Sequence, residues 1–241
     1  MHDFSVAEDM SDLVDIHRPV LMFDVLGTLV DQAGSLRREV GAVTGWDDTA
    51  AGSVVTAWLT HVAHREREIN AGDSAFVPSH ALDAQALEQL SAEIGLPSSA
   101  IPQLTSAACR LTPWPGAVEG IRRLAADFTV MGLSNASHHV LAGLSESSGL
   151  GWHRAISAED ARAYKPDPAL YRRAMSMAPT RPRPTYLVAA HAWDLRAAAA
   201  AGLRTAYVPR PAGDPPARDD AFDLYAEDLT ELYDMVSATA T

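Results

Sequence analysis

The chain has 241 residues, of which 47% are hydrophobic and 21% are charged, and its formal net charge is −12 at pH 7. This composition is typical of a folded globular protein and excludes an intrinsically disordered chain. The acidic balance disfavours nucleic acid and anionic membranes as partners, because both would repel the protein. No apolar run reaches the ~18 residues that a membrane-spanning helix needs. These features predict a globular protein that acts on a small molecule.

The N-terminal segment and the cysteine content predict a cytoplasmic location. Residues 1–18 are acidic and lack the continuous apolar stretch of a signal peptide. Cys109 is the only cysteine, so an intrachain disulfide cannot form. The absence of a disulfide framework is typical of proteins in a reducing compartment.

The first long apolar run begins at Pro19 and ends on a carboxylate, Asp24, shortly before Gly27. Such a run, stopped by Asp and Gly, predicts a buried parallel strand that brings Asp24 to the carboxyl edge of a sheet. Ligands of open α/β sheets bind at that edge. Asp24 is therefore correctly placed to be a nucleophile.

Between about residues 35 and 110 the apolar residues have helical spacing, and we expect no strand there. One predicted helix carries Trp58 and ends before Gly72, and two more cover about 81–94 and 101–111. Residues 114–116, Trp-Pro-Gly, predict a hinge that returns the chain to the sheet. We interpret residues 34–112 as a helical cap.

Strands and helices alternate in the rest of the chain. We predict helices at about 118–126 and 194–201, strands at 128–133, 185–189 and 205–208, and a short strand and helix between 222 and 236. This alternation predicts a Rossmann-like α/β fold with a doubly wound parallel sheet. The predicted core comprises residues 1–33 and 113–241.

Four groups of polar residues lie at predicted strand ends or in the loops that follow them. They are Asp24 with Thr28, Ser134 with Asn135, Lys165, and Asp194 with His191. Each group is weak evidence alone, since Asp and Ser are also common in turns and helix caps. Their common placement at one sheet edge makes them candidate active-site residues.

These groups resemble, in the same order, the motifs of the haloacid dehalogenase superfamily. The matching segments are 23–31, 133–135, 165–167 and 192–194. The resemblance extends over about residues 19–210. It implies an active site between a Rossmann-like core and a helical cap, no cofactor, and a homodimer.

Two positions distinguish the branches of this superfamily. Its phosphatases carry a second Asp two residues after the nucleophile as general acid and base, but here that residue is Leu26. They also hold magnesium with an acidic pair, but the residue four positions before Asp194 is Ala190. Mg²⁺ needs oxygen ligands, so we expect no metal site. A halide leaves without a proton, so the absence of the acid suits cleavage of a carbon–halogen bond.

The absence of acidic residues at Leu26 and Ala190 resembles the L-2-haloacid dehalogenase branch. Tyr171 and the Ala-Trp-Asp sequence at 192–194 also resemble motifs of that branch. The resemblance implies that Asp24 attacks C2 of a short 2-haloalkanoate, inverts that carbon and forms an aspartyl ester. Water then attacks the carboxyl carbon of Asp24 and releases the 2-hydroxy acid. The cation of Lys165 would keep Asp24 ionised.

The resemblance also implies binding roles near the nucleophile. Thr28 and the main chain at Val25 and Leu26 would hold either Asp24 or the substrate carboxylate. Ser134 and Asn135, which we expect at a helix N-terminus, would donate hydrogen bonds to a carboxylate.

Asp194 would anchor Lys165 and would position or activate the hydrolytic water. Simpler structural roles stay open, because Asp194 could be only a helix cap and Tyr171 only a core residue. The side chains that we expect to contact the substrate or to orient this network are Trp58, His61, Tyr171, His191 and Trp193.

One residue expected in this branch is missing. An arginine shortly after Trp58 would receive the departing halide, but the next three residues include no arginine. Arg65 and Arg67 follow about two turns later, and their alternation with Glu suits a solvent-exposed face. His191 stands where the branch has Asn, and a histidine can titrate near neutral pH.

These departures leave three alternatives open. The same scaffold could open another carbon–heteroatom bond, such as that of a strained ring, with His61 or His191 as the proton donor to the leaving atom. It could be a phosphatase, which Leu26 disfavours. It could also be a noncatalytic protein of this fold, which the retained polar groups disfavour.

Overall fold

The computed structural model describes residues 19–179 and 184–239. The expectation of no signal peptide concerns residues 1–18, which lie outside the described residues. The strands are β1 (Val20–Phe23), β2 (Val30–Asp31), β3 (Thr112–Pro113), β4 (Thr129–Ser134), β5 (Arg154–Ser157), β6 (Thr185–Ala189), β7 (Arg204–Tyr207) and β8 (Leu224–Tyr225). The α-helices are α1 (Gln32–Thr44), α2 (Asp48–Ala71), α3 (Ser79–Ile94), α4 (Ile101–Ala107), α5 (Ala117–Asp127), α6 (His138–Ser148), α7 (Pro168–Met177), α8 (Ala192–Ala200) and α9 (Leu229–Thr239).

A six-stranded sheet with the order β5-β4-β1-β6-β7-β8 forms the centre of the molecule. Every pair of neighbouring strands in it is parallel. Strands β4 and β5 lie on one side of β1 in the sheet, and the later strands β6, β7 and β8 lie on the other side. The end of β1 therefore lies at a topological switch point, where ligands of open α/β sheets bind. The predicted doubly wound, Rossmann-like α/β fold is confirmed.

Strand β1 is buried on both faces, as its continuous apolar sequence predicts. Leu21 and Phe23 belong to the hydrophobic cluster that also contains buried residues of α5, α6 and α9. Val20 and Met22 belong to a second cluster, with α7 and α8. This alternation follows the two-residue period of a strand. Helices thus cover both faces of the sheet, and the carboxyl ends of its strands are left to form a site.

The turn after β1 depends on Gly27. Its φ is +84°, and a Cβ atom there would lie 2.5 Å from Nε2 of His191. Glycine meets both requirements, because it has no Cβ and adopts positive φ readily. The carbonyl of Val25 accepts hydrogen bonds from the N–H groups of Leu29 and Val30, at 2.9 and 3.2 Å, and closes the turn.

The helices α1 to α4 lie between two short strands that pair with each other. In this antiparallel ribbon, Val30 of β2 pairs with Pro113 of β3. Trp114 follows the ribbon, and its indole N–H donates to the carbonyl of Gly27 at 2.9 Å. The chain therefore leaves the sheet and returns to it at neighbouring points.

Most predicted elements are present, with some changes at their ends. The third helix of this segment ends at Ala107 and continues only as a 3₁₀ turn, Ala108–Arg110. Strand β5 is not predicted from the sequence, because only the last two of its four residues are buried and its apolar pattern is weak. The helix expected to open at Ser134 instead begins at His138, since Ser134 is the last residue of β4.

None of the helices within residues 19–179 and 184–239 combines the length and the apolar character that crossing a membrane requires.

Two helical glycines provide a test of how tightly α6 packs against the end of the helical segment. A Cβ on Gly143 of α6 would lie 2.6 Å from Cβ of Cys109, whereas one on Gly52 of α2 would make an ordinary contact of 3.6 Å with Arg37. We expect Gly52→Ala to stabilise the protein by about 0.5–1 kcal/mol through helix propensity. We expect Gly143→Ala to destabilise it by about 1–3 kcal/mol through overpacking.

Urea denaturation of the two variants measures both effects, with Gly52→Ala as the matched control. Stabilisation by both substitutions would contradict the close packing at Gly143.

Candidate active site

The polar groups predicted from the sequence meet at the carboxyl edge of the sheet. Asp24 directly follows β1, Ser134 ends β4, and Asp194 lies in the first turn of α8 after β6. Because β1, β4 and β6 are parallel neighbours, their ends lie side by side. A cavity of about 220 Å³ opens there, and its lining includes Asp24, Ser134, Asn135, Lys165 and His191.

The carboxylate of Asp24 is held on both oxygens. Thr28 donates to Oδ2 through its hydroxyl at 2.6 Å, and Lys165 donates to Oδ1 through Nζ at 3.0 Å. Thr28 is itself fixed, since its Oγ1 accepts the backbone N–H of Ala190 at 2.9 Å. The predicted role of Thr28 in holding Asp24 agrees with this geometry.

Lys165 is a buried cation that lies between two carboxylates. Its Nζ is 2.6 Å from Oδ2 of Asp194 as well as 3.0 Å from Asp24. Burial lowers the pKa of Lys165, but the charges of Asp194 and Asp24 outweigh burial and hold the pKa above its ordinary value. The ammonium therefore stays charged and donates hydrogen bonds to both aspartate side chains.

Asp194 and Tyr171 lie behind the cavity and complete this network. The hydroxyl of Tyr171 donates to Oδ1 of Asp194 at 2.5 Å, so both oxygens of Asp194 are bound. Burial raises the pKa of Tyr171, which keeps the hydroxyl protonated as a donor. Neither residue lines the cavity. The hydrogen bonds place Tyr171 on Asp194 and Asp194 on Lys165, while contact of Tyr171 with the substrate and activation of water by Asp194 stay predictions.

The structure corrects the surroundings of Ser134 and Asn135. They do not lie at a helix N-terminus, because the N-cap of α6 is Ser137. Ser134 is fully buried and its Oγ accepts the N–H of Ala136 at 3.1 Å. Asn135 accepts the backbone N–H of Lys165 at 2.8 Å through Oδ1. Both residues do line the cavity, as predicted.

His191 and Trp193 lie at the cavity as predicted, and both line it. Nε2 of His191 is 3.9 Å from Oδ2 of Asp24. The imidazole ring of His191 stacks on the indole ring of Trp193, with the two ring centroids 6.0 Å apart. Leu26 also lines the cavity, whereas the side chain of Val25 is fully buried in the hydrophobic core.

Two residues of α2 that we expected to contact the substrate do not line this cavity. Trp58 is fully buried in the core, and its indole N–H donates to Oδ1 of Asp83 at 2.8 Å. His61 is not among the lining residues. The cavity-facing residues of α2 are Leu59, Val62, Ala63 and Glu66. They follow the three- and four-residue spacing of one helix face, and position 61 does not belong to it.

The two arginines nearest the expected halide-binding position also lie elsewhere. Arg65 forms an ion pair with Glu68 and bonds Ser74 at 3.3 Å, and Arg67 is exposed and donates to the carbonyl of Ala63 at 3.2 Å. Neither lines the cavity. Both arginines therefore belong to the charged segment at 64–68 and not to the cavity lining.

Two acidic residues that were not predicted from the sequence line the cavity from the helical segment, Glu66 of α2 and Asp83 of α3. Burial raises the pKa of Glu66 from 4.5 to about 8 and that of Asp83 from 3.8 to about 6. Glu66 belongs to a run of charged residues at 64–68, which suggested a solvated surface. Glu66 follows Leu59 and Val62 at the three- and four-residue spacing of one helix face. This spacing is the sequence signal that could have identified Glu66 as a cavity residue.

The donor set does not suit magnesium. The ammonium of Lys165 lies between Asp24 and Asp194 and binds both side chains. Leu26 and Ala190 supply no side-chain oxygen. Among the residues that the structure describes, no cluster of three or more His, Cys, Asp or Glu side chains could hold a metal ion.

Comparisons with known proteins agree with this geometry. The structure superimposes on the L-2-haloacid dehalogenase PA0810 with a TM-score of 0.83 and 30% identity, covering 92% of this chain and 99% of that one. The defluorinating L-2-haloacid dehalogenase Rha0230 gives a TM-score of 0.82 and 28% identity, over 91% and 95% of the two chains.

Two relatives are similar in sequence. The (S)-2-haloacid dehalogenase 4A of Burkholderia cepacia is 31% identical over 143 residues, which are 58% of this chain and 62% of that protein. The (S)-2-haloacid dehalogenase 1 of Pseudomonas sp. (strain CBS-3) is 26% identical over 78% of this chain and 83% of that protein. The family model of haloacid dehalogenase-like hydrolases matches residues 19–202. The chain therefore belongs to the haloacid dehalogenase-like hydrolase family.

Proposed function

We propose that this protein hydrolyses short 2-haloalkanoic acids to 2-hydroxy acids. The observation that carries the proposal is the side chain of Asp24, which Thr28 and Lys165 hold at the cavity through hydrogen bonds to both of its oxygens. Leu26 stands where an acid would protonate an alkoxide leaving group, and a halide needs no such proton. The similarity to enzymes named as 2-haloacid dehalogenases supports the same substrate class.

In the first step, a carboxylate oxygen of Asp24 attacks C2 of the substrate from the side opposite the halogen. The C–X bond breaks, the halide leaves with the bonding electrons, and an aspartyl ester forms. Thr28 and Lys165 orient the attacking carboxylate, which reduces the loss of freedom on reaching the transition state.

In the second step, water attacks the carboxyl carbon of Asp24 and the ester C–O bond breaks. The 2-hydroxy acid is released, Asp24 is regenerated, and one proton goes to solvent. His191 lines the cavity with Nε2 at 3.9 Å from Asp24, so it is placed to take a proton from that water. Lys165 stays between Asp24 and Asp194 throughout and stabilises the negative charge that develops.

Ser134 is the proposed anchor of the substrate carboxylate. Its Oγ accepts a hydrogen bond from Ala136, which leaves the hydroxyl proton free for a ligand. The main chain after β1, at Val25 and Leu26, is the other proposed source of donors. Apolar contacts from Leu59 and Val62 suit a short alkyl group.

We further propose that residues 34–112 act as a cap on a core of residues 1–33 and 113–241. The paired strands β2 and β3, which join the two parts, support this division, as does a cavity lined from both. A metal-independent reaction is supported by the lysine between the two carboxylates. A cytoplasmic location and a homodimer rest on the cysteine content and on family resemblance.

The substrate assay is the first test. We expect chloride release from L-2-chloropropionate, none from the D enantiomer, and no effect of EDTA. Asp24→Asn should lower kcat/KM by at least about a thousandfold, because the nucleophile is lost. Magnesium-dependent hydrolysis of p-nitrophenyl phosphate without chloride release would overturn the proposal in favour of a phosphatase.

The positioning role of Tyr171 is the second test. Tyr171→Phe removes the hydrogen bond to Asp194, a charged acceptor, so we expect kcat to fall about tenfold to a hundredfold. Tyr186→Phe is the matched control, since Tyr186 is equally buried and its hydroxyl lies 3.2 Å from Arg204. Steady-state chloride release measures both. Equal kcat values for the two variants would refute the role of Tyr171.

A further inference from the structure

Glu66 is a carboxyl group in the proposed active site that the two dehalogenation steps do not use. It lines the cavity from α2, while Asp24 lines it from the end of β1. Val62 and Leu59 lie on the same helix face, one turn and two turns before it, respectively. The side chain therefore belongs to the cavity and not to the charged surface formed by Arg65 and Arg67.

Hydrogen bonds tie Glu66 to the nucleophile. Its Oε2 accepts from Nδ2 of Asn135 at 3.0 Å. Asn135 in turn accepts the backbone N–H of Lys165, whose Nζ binds Asp24. Within the described residues, Oε1 of Glu66 has no protein partner, so it is free to contact a ligand.

The surroundings of Glu66 favour its neutral form. Burial raises its pKa to about 8, Asn135 opposes this shift through its hydrogen bond, and the charge of Asp83 on α3 adds to it. The other titratable groups that line the cavity are Asp24, Lys165 and His191. The ammonium of Lys165 is bound by Asp24 and Asp194, so Glu66 does not form an ion pair with it.

We propose that Glu66 is a general acid that protonates the leaving atom, so that this site opens the strained C–O bond of an oxirane-2-carboxylate in addition to expelling halide. The proposal rests on Asp24 as the nucleophile and extends the proposed function to a second leaving group. Glu66 supplies from α2 the proton that Leu26 cannot supply from the turn after β1.

The chemistry balances without a co-reactant. A carboxylate oxygen of Asp24 bonds to C2, the C2–O bond of the ring breaks, and the ring oxygen takes the proton of Glu66. Water then attacks the carboxyl carbon of Asp24 and the ester C–O bond breaks, which gives 2,3-dihydroxypropanoate. The proton released in this second step returns Glu66 to its acid form through solvent.

The charges of the cavity wall support this choice of leaving atom. Glu66 and Asp83, which line the cavity from α2 and α3, offer no positive charge to a departing anion. A leaving oxygen that takes the proton of Glu66 departs as a neutral hydroxyl, so it needs no positive charge from the wall. A general acid of this kind accelerates a reaction by about 10²–10⁴-fold.

The test compares two substrates and two variants of the full-length protein. Formation of 2,3-dihydroxypropanoate from oxirane-2-carboxylate is followed by NMR, and chloride release from L-2-chloropropionate is measured in parallel. Glu66→Gln keeps the shape and a hydrogen-bond donor but has no acidic proton. Glu88→Gln, at an exposed position on α3, is the matched control.

We expect the unmodified protein and Glu88→Gln to open the ring, at a rate that falls as pH rises through about 8. Glu66→Gln should lower kcat for ring opening at least about a hundredfold, and at least thirtyfold more than it lowers kcat for chloride release. Chloride release without ring opening, or an equal effect of Glu66→Gln on both reactions, would overturn the assignment and leave the dehalogenase proposal intact. Absence of both activities would overturn the proposed function itself.

A stability measurement reports the proton on Glu66 independently of activity. Because its pKa is raised on folding, Glu66 stabilises the protein fully below pH 4.5, and this stabilisation is lost as pH rises through about 8. The Tm of the unmodified protein should therefore fall more between pH 6 and 9 than the Tm of Glu66→Gln. Identical pH profiles of Tm would contradict a neutral Glu66.

Discussion

The ion pair of Lys165 with Asp24 and Asp194 is the interaction on which the rest of the site depends. All three side chains are almost completely buried. An unpaired charge in such a place would cost several kcal/mol, so each group needs the others. The lysine comes from the loop before α7, and the two carboxylates come from the ends of β1 and from α8. The network therefore forms only when the two central strands and that loop are correctly assembled.

The network also restricts the chemistry. The lysine lies between two aspartates and supplies a buried positive charge beside the nucleophile. Thr28 fixes the other oxygen of Asp24, so the nucleophile has little rotational freedom. Asn135 connects this arrangement to the helical segment, since it bonds both Lys165 and Glu66. Two parts of the chain thereby contribute to one cavity.

Much of the fold and of the nucleophile's surroundings could be predicted from the sequence because both follow from short-range patterns. An apolar run that ends in Asp specifies a buried strand, and parallel strands bring their ends together. Trp58 and His61, which we expected at the substrate, do not line the cavity, because the direction that a helix position faces cannot be assigned without knowing what the helix packs against. Trp58 faces the core and bonds Asp83, while Glu66, inside a charged run, faces the cavity. The start of α6 was also missed, since Ser134 and Ser137 are both suitable N-cap residues.

The central claim is that Asp24 becomes covalently attached to the substrate and is regenerated by attack of water on its own carboxyl carbon. A single turnover of L-2-chloropropionate with excess enzyme in H₂¹⁸O, followed by mass analysis of the peptide that contains Asp24, tests it most directly. The account predicts that ¹⁸O appears in the Asp24 side chain and that the 2-hydroxypropionate contains none. Label found in the product, with an unlabelled Asp24 peptide, would show direct attack of water on the substrate and would contradict the account.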